Sequence, residues 1–177
     1  KAHYNLGNTL HELNLLDDSI KSYERSLAID PNYAEAFNNL GNVFKDLNDF
    51  DEAINSYKKA LVIKPDYFEV HYSLGIAFKG LGQLDDMIKH LKKAVKIQPD
   101  LAEVHYRIGV GLEELGRLHE AIKSYQKVIE INPNFIEAYN HLGIIFNELG
   151  RHDEAIEAYR NALEINPDIS ESHNNLG

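Results

Sequence analysis

Residues 34–67 read AEAFNNLGNVFKDLNDFDEAINSYKKALVIKPDY, and two helical patterns lie inside them. Phe37, Leu40, Phe44 and Leu47 recur at steps of three and four residues, the period of one helix face. Ala53, Ile54, Tyr57, Ala60, Leu61 and Ile63 form a second such set. Asn48-Asp49 between them reads as a turn. Asp51 offers an N-cap for the second helix. Pro65 stops that helix, because its ring removes a backbone donor and clashes with the preceding turn. The stretch is therefore a helical hairpin, and one hairpin cannot bury its apolar side alone.

The hairpin recurs. Pro31, Pro65, Pro99, Pro133 and Pro167 stand 34 residues apart, and Gly7, Gly41, Gly75, Gly109, Gly143 and Gly177 keep the same step. With that glycine as position 8 and the proline as position 32, the repeats span 1–33, 34–67, 68–101, 102–135 and 136–169, with a partial repeat at 170–177. The expected fold is all-α, a single α-solenoid of stacked antiparallel helix hairpins. Helix A is expected over positions 2–15 and helix B over positions 18–31. Asp17, Asp85 and Asp153 repeat the cap expected at Asp51. Asn32/Glu35, Asp66/Glu69, Asp100/Glu103, Asn134/Glu137 and Asp168/Glu171 have the spacing of a capping box before helix A. Gly82, Gly116 and Gly150 fall where a helix A ends, as a C′ position favours. A glycine inside a helix costs roughly 1 kcal/mol against alanine. Its return in every helix A predicts the close approach of another helix. Position 20 is small in four of five repeats (Ser19, Ala53, Ala121, Ala155) and is expected to face the bulky position 11.

Composition excludes several functions. A formal net charge of −10 argues against a nucleic-acid backbone as ligand, since phosphate binding needs clustered Lys and Arg. No run approaches the ~18 apolar residues of a membrane span. There is no cysteine, hence no thiolate nucleophile or thiolate zinc site. No GxSxG or HExxH motif occurs, and the glycines are explained by the repeat. No enzyme activity, cofactor or metal is expected. His3, His71, His105 and His173 share position 4, a packing slot, and neighbouring repeats set them about 10 Å apart. Zinc needs ligands at ~2 Å.

The residue pattern resembles the tetratricopeptide repeat family: aromatic or His at position 4, Leu-Gly at 7–8, aromatic at 11, Ala at 20, Tyr at 24, Ala at 27, Pro at 32. Repeat five carries most of it as Tyr139, Leu142-Gly143, Phe146, Ala155, Tyr159, Ala162 and Pro167. Repeat three departs, with Met87 and Leu91 in place of Ala and Tyr, and repeat one has Ser19 and Ser26. The resemblance implies a right-handed superhelix. It also implies a non-catalytic scaffold whose concave groove, lined by helix A, holds a peptide or partner helix.

In that family the groove positions are 2, 5, 6, 9, 12 and 13. Position 6 carries Asn5, Asn39, Ser73, Arg107, His141 and Asn175, an interrupted version of the asparagine ladder that grips peptide backbones in O-GlcNAc transferases. A rival reading is therefore the substrate-recruiting arm of such a larger enzyme. The groove residues singled out are Asn38, Asn39, Asn42, Tyr72, Ile76, Tyr106, Arg107, Val110, Asn140 and His141. Tyr72, Ile76, Tyr106 and Val110 are the expected hot spot. The amides suit a ligand backbone, because each donates and accepts, and Arg107 suits a ligand carboxylate. Groove positions carry ten acids against four bases, while the outer face of helix B carries eleven bases against four acids. The groove should therefore favour a basic or neutral segment. A carboxylate clamp for acidic C-terminal tails is not expected: position 2 is Glu in every repeat after the first, and position 5 is never Lys. The expected partner is a protein or peptide. End-to-end self-association through apolar terminal faces is a third reading.

Overall fold

The breakers cut the chain where the 34-residue register puts them. A computed structural model describes residues 1–166. Pro167, the partial repeat 170–177 and the terminal face it was expected to expose lie outside the described residues. The helices run in A/B pairs: α1 (Ala2–Glu12) and α2 (Leu16–Ile29), α3 (Ala34–Asp46) and α4 (Phe50–Ile63), α5 (Phe68–Gly80) and α6 (Leu84–Ile97), α7 (Ala102–Glu114) and α8 (Leu118–Ile131), α9 (Ile136–Glu148) and α10 (His152–Ile165). No strand occurs among the described residues. The chain divides into two compact units, residues 1–97 with α1–α6 and residues 98–177 with α7–α10. Within each unit, every hairpin packs its two helices together and helix B packs on the next helix A.

The helix ends correct the sequence reading by one or two residues. Asp51 is not an N-cap but lies in the first turn of α4, where its charge favours the positive helix end. Asp17, Asp85 and Asp153 lie likewise in first turns. The α4 cap is Asp49, whose side chain accepts from the Glu52 N–H at 3.3 Å. The four capping boxes within the described residues do not form, and Asp168/Glu171 lies outside them. The N-caps of α3, α5, α7 and α9 are Tyr33, Tyr67, Leu101 and Phe135, without side-chain cap bonds. Packing outweighs capping there. The Tyr33 ring lies 4.8 Å from Tyr4, and the Phe135 ring 5.0 Å from Tyr106. Burying an aromatic ring is worth about 1.5–3 kcal/mol, against about 1 for a cap. Leu47, grouped by period with Phe37, Leu40 and Phe44, is the exposed C-cap of α3.

The turn after helix A behaves as expected. Asn14, Asn48, Gly82, Gly116 and Gly150 all have positive φ, between 58° and 71°. Around Asn48, its own N–H donates to Lys45 O and the Asp49 N–H donates to Phe44 O, both at 2.9 Å. This pair of bonds is a Schellman motif. The close approach expected at position 8 is also present. A Cβ on Gly41 would sit 2.6 Å from the Tyr57 ring, and Gly7, Gly109 and Gly143 face Tyr23, Tyr125 and Tyr159 in the same way. Those four tyrosines are almost wholly buried. Ser19, the polar exception at position 20, donates its hydroxyl to Gly7 O at 2.8 Å.

Candidate functional site

The site is built from the exposed sides of the A helices, and each unit carries its own part. In residues 1–97, tyrosines of helix B reach through to the A-helix amides behind the surface. Tyr57 donates to Asn42 Oδ1 and Tyr23 to Asn8 Oδ1, each at 2.7 Å. Asn39 Nδ2 bridges to the preceding helix A, donating to Asn8 Oδ1 at 2.9 Å and to the Tyr4 hydroxyl at 3.1 Å. Asn38 Nδ2 in turn donates to Asn39 Oδ1 at 3.1 Å. Repeat three replaces this polar pairing on both sides. Leu91 stands where the tyrosine would be, and Ile76 where the asparagine would be. Tyr72 stacks on Phe68, with ring centres 6.3 Å apart and planes 16° from parallel.

In residues 98–166 Val110 stands where the position-9 amide would be, so Tyr125 finds another acceptor, Glu113 Oε2 at 2.7 Å. The same oxygen meets His141 Nδ1 at 2.8 Å, and His141 Nε2 meets the Tyr106 hydroxyl at 3.2 Å. With His141 neutral, Nδ1–H donates to the carboxylate and Nε2 accepts from Tyr106. The His141 ring stacks on Tyr125, with centres 5.0 Å apart and planes 13° from parallel. Burial raises the Glu113 pKa, but the hydrogen bonds from His141 and Tyr125 outweigh it and hold the carboxyl below its ordinary range. Burial, and then the Glu113 carboxylate, push the Tyr125 hydroxyl strongly upward. Arg107 is engaged by Glu103 at 2.6 Å one turn back.

Eight of the ten singled-out residues are partly exposed, while Asn38 and Asn140 are buried, each 8 % exposed. The structure brings Tyr106 and His141 together, and it joins Asn38 to Asn39. Tyr106 is less of a surface ring than expected, because it packs on Tyr125, Phe135 and His141. Sequence reasoning missed Glu113 as the centre of a network and Tyr4 and Asn8 as partners of Asn39. A signal existed. Tyr4/Asn39, His11/Asp46 and Tyr106/His141 are each separated by 35 residues, so a position on one helix A meets the next position of the following one. Two of the position-4 histidines serve the turns: Nε2 of His71 lies 3.0 Å from Pro65 O, and Nε2 of His105 lies 3.0 Å from Pro99 O. Among the described residues no three His, Cys, Asp or Glu side chains converge as a metal site. No described helix is long and apolar enough to cross a membrane.

Family models described as TPR repeat match residues 7–48, 41–82 and 112–150, and models described as tetratricopeptide repeat match 68–101 and 136–169. No curated protein matches the chain. Among solved structures, a crystal structure of MamA shares 31% identity over 90% of this chain and 93% of its own, with a TM-score of 0.83. YrrB, described as a TPR protein with an unusual peptide-binding site, shares 26% identity over 97% of this chain and 89% of its own, with a TM-score of 0.84. MamA from Desulfovibrio magneticus RS-1 shares 20% identity over 96% of each chain, with a TM-score of 0.83, and so speaks for the fold alone.

Proposed function

The chain belongs to the tetratricopeptide repeat family, and on that premise we propose that it is a non-catalytic protein-interaction scaffold whose A helices hold a peptide or a partner helix. The observation that carries this reading is the set of partly exposed amides held in place by hydrogen bonds to neighbouring helices. Tyr57 fixes Asn42, and Tyr4 and Asn8 fix Asn39. Groups already ordered lose little entropy when a ligand arrives, so their bonds count more fully toward affinity. The likeness to YrrB, described by its peptide-binding site, points the same way.

Roles follow from exposure. Asn39 and Asn42 meet a ligand backbone, with Asn38 behind them. Tyr72 and Ile76 form an apolar contact on residues 1–97, and Tyr106, Val110 and His141 form one on residues 98–166, with Asn140 behind. Arg107 is the least suited of the ten to a ligand carboxylate, because Glu103 already occupies it. The test is to identify a partner by affinity capture and mass spectrometry, then to measure its affinity for variants. Tyr72→Ala is expected to cost at least ~2 kcal/mol of binding if it is a hot spot. The paired control Lys92→Ala with Lys93→Ala, on helix B, is expected to bind normally. Loss of binding in the control with normal binding by Tyr72→Ala would move the site to the basic face of the B helices.

A further inference from the structure

Glu113 differs from the other carboxylates on the A-helix faces. Its Oε2 accepts two hydrogen bonds, from Tyr125 and His141, and both donors are themselves held in place by the Tyr106–His141 bond and the Tyr125–His141 stack. Its Oε1 accepts no hydrogen bond among the described residues. The side chain keeps 25% of its surface exposed. The result is a fixed negative charge with one oxygen available to a ligand. A carboxylate ordered in this way loses no rotamer freedom on meeting a cation, unlike an ordinary surface glutamate.

The surroundings select the sign of that ligand. On the A-helix positions of residues 1–97, four acids (Glu12, Glu35, Asp46, Glu69) stand against three bases (Lys1, Lys45, Lys79). On those of residues 98–166, five acids (Glu103, Glu113, Glu114, Glu137, Glu148) stand against Arg107 alone, and Glu103 engages that arginine. Val110, one turn before Glu113, and the exposed Ile144 of α9 offer apolar contact to an aliphatic stem. Lysine and arginine combine such a stem with a charged head.

We propose that Glu113 Oε1 anchors a Lys or Arg side chain of a peptide segment laid across α7 and α9. This rests on the scaffold reading and adds the chemistry of the ligand. The probe is a random dodecapeptide display library selected on the whole chain. Wild type selects peptides with a basic residue at one fixed position. In a selected peptide made synthetically, changing that Lys to Ala, or that Arg to citrulline, weakens binding about tenfold or more, as loss of a charged hydrogen bond does. Against Glu113→Gln the same peptide change has little effect, while against Glu148→Gln, on the same face, the full loss remains. Circular dichroism checks that both variants fold. Should Glu113→Gln unfold, the His141 ring resonances of wild type report instead, shifting with the basic peptide and not with its citrulline or alanine form. Selected peptides without a fixed basic position, or an undiminished loss against Glu113→Gln, would overturn the anchor and leave the scaffold standing. Selection of no peptide by any variant overturns the scaffold reading and the anchor with it.

Discussion

Gly41 and Gly75 occupy the same place in neighbouring repeats, yet they meet different walls. A Cβ on Gly41 would lie 2.6 Å from the Tyr57 ring, a rigid plane whose hydroxyl is tied to Asn42. A Cβ on Gly75 would lie 2.7 Å from Leu91 Cδ2 and Cγ, a branch that can change rotamer. Alanine also gains about 1 kcal/mol of helix propensity over glycine. Gly41→Ala is therefore expected to lose about 1–3 kcal/mol by overpacking, and Gly75→Ala distinctly less. Urea midpoints of the two variants check the order, and equal losses would mean that Leu91 is as fixed as Tyr57. Ala121, wholly buried, gives a second case: Ala121→Leu is expected to cost about 1–3 kcal/mol. The sequence shows that something approaches every position-8 glycine, because nothing else explains a helix breaker kept at each step. It does not show that the approaching group is the position-24 side chain of the same hairpin, since periodicity locates faces and not their contacts.

Helix ends were legible to within a residue or two, and the errors share a cause. Asn32 and Glu35 have the right spacing for a capping box, but spacing is blind to the aromatic residue beside them, and the packing of Tyr33 on Tyr4 sets the true start of α3. The glycine turn was read correctly because a positive φ leaves few residue types to choose from. Gly116, at φ 69° with open space around its Cβ position, isolates the backbone cost. Gly116→Ala is expected to lose about 1–2 kcal/mol, while Asn48→Gly should lose none; thermal unfolding distinguishes them. The hairpin α5–α6 holds a second device. His71 and His90 are buried with their Nδ1 atoms 3.2 Å apart, and the His90 ring stacks on Phe78. Burial lowers both pKa values; His71, Lys93 and Lys89 lower His90 further, to about 4, against the raising effect of Asp86. At His71, Pro65 O and Asp66 oppose burial and Lys93. The unfolded chain therefore takes up the protons first, near pH 6.5, so stability is full above that pH and is lost as the pH falls toward 4. A loss of about 1–2 kcal/mol is expected between pH 7.5 and pH 5. The double variant His71→Phe with His90→Phe should flatten that part of the urea-midpoint profile. An unaltered slope would assign the acid sensitivity to other groups.

At the scale of the molecule, the repeat architecture was the most legible feature and the site the least. Two breaker residues at a fixed step determine the hairpins, whereas the network around Glu113 depends on which A-helix positions meet in space. That offset of 35 residues shows only once helices are packed. Stability in such folds is close to a sum over hairpins and the interfaces between them. The first hairpin shows what an interface is worth. Leu6 is 47 % exposed, while its equivalents Leu40, Leu74 and Leu142, each covered within its unit by the preceding hairpin, are 7 %, 0 % and 4 % exposed. Residues 1–97 hold three hairpins with interfaces α2/α3 and α4/α5, while residues 98–166 hold two hairpins with the single interface α8/α9. Expressed separately, the fragment 1–97 is expected to be helical by circular dichroism and to resist higher urea than the fragment 98–177. The second fragment has one compensating feature, the Tyr106–His141–Glu113–Tyr125 network, which ties three of its helices, α7, α8 and α9, together through hydrogen bonds. The net value of each such bond is about 0.5–1.5 kcal/mol, or about 1.5–3 where the carboxylate takes part. An interface that buries several leucine-sized side chains at about 1.5–3 kcal/mol each exceeds that sum. If the fragment 98–177 nevertheless proves the more resistant of the two, and Glu113→Gln abolishes its advantage, then polar ties rather than buried interfaces set the stability of this half of the chain.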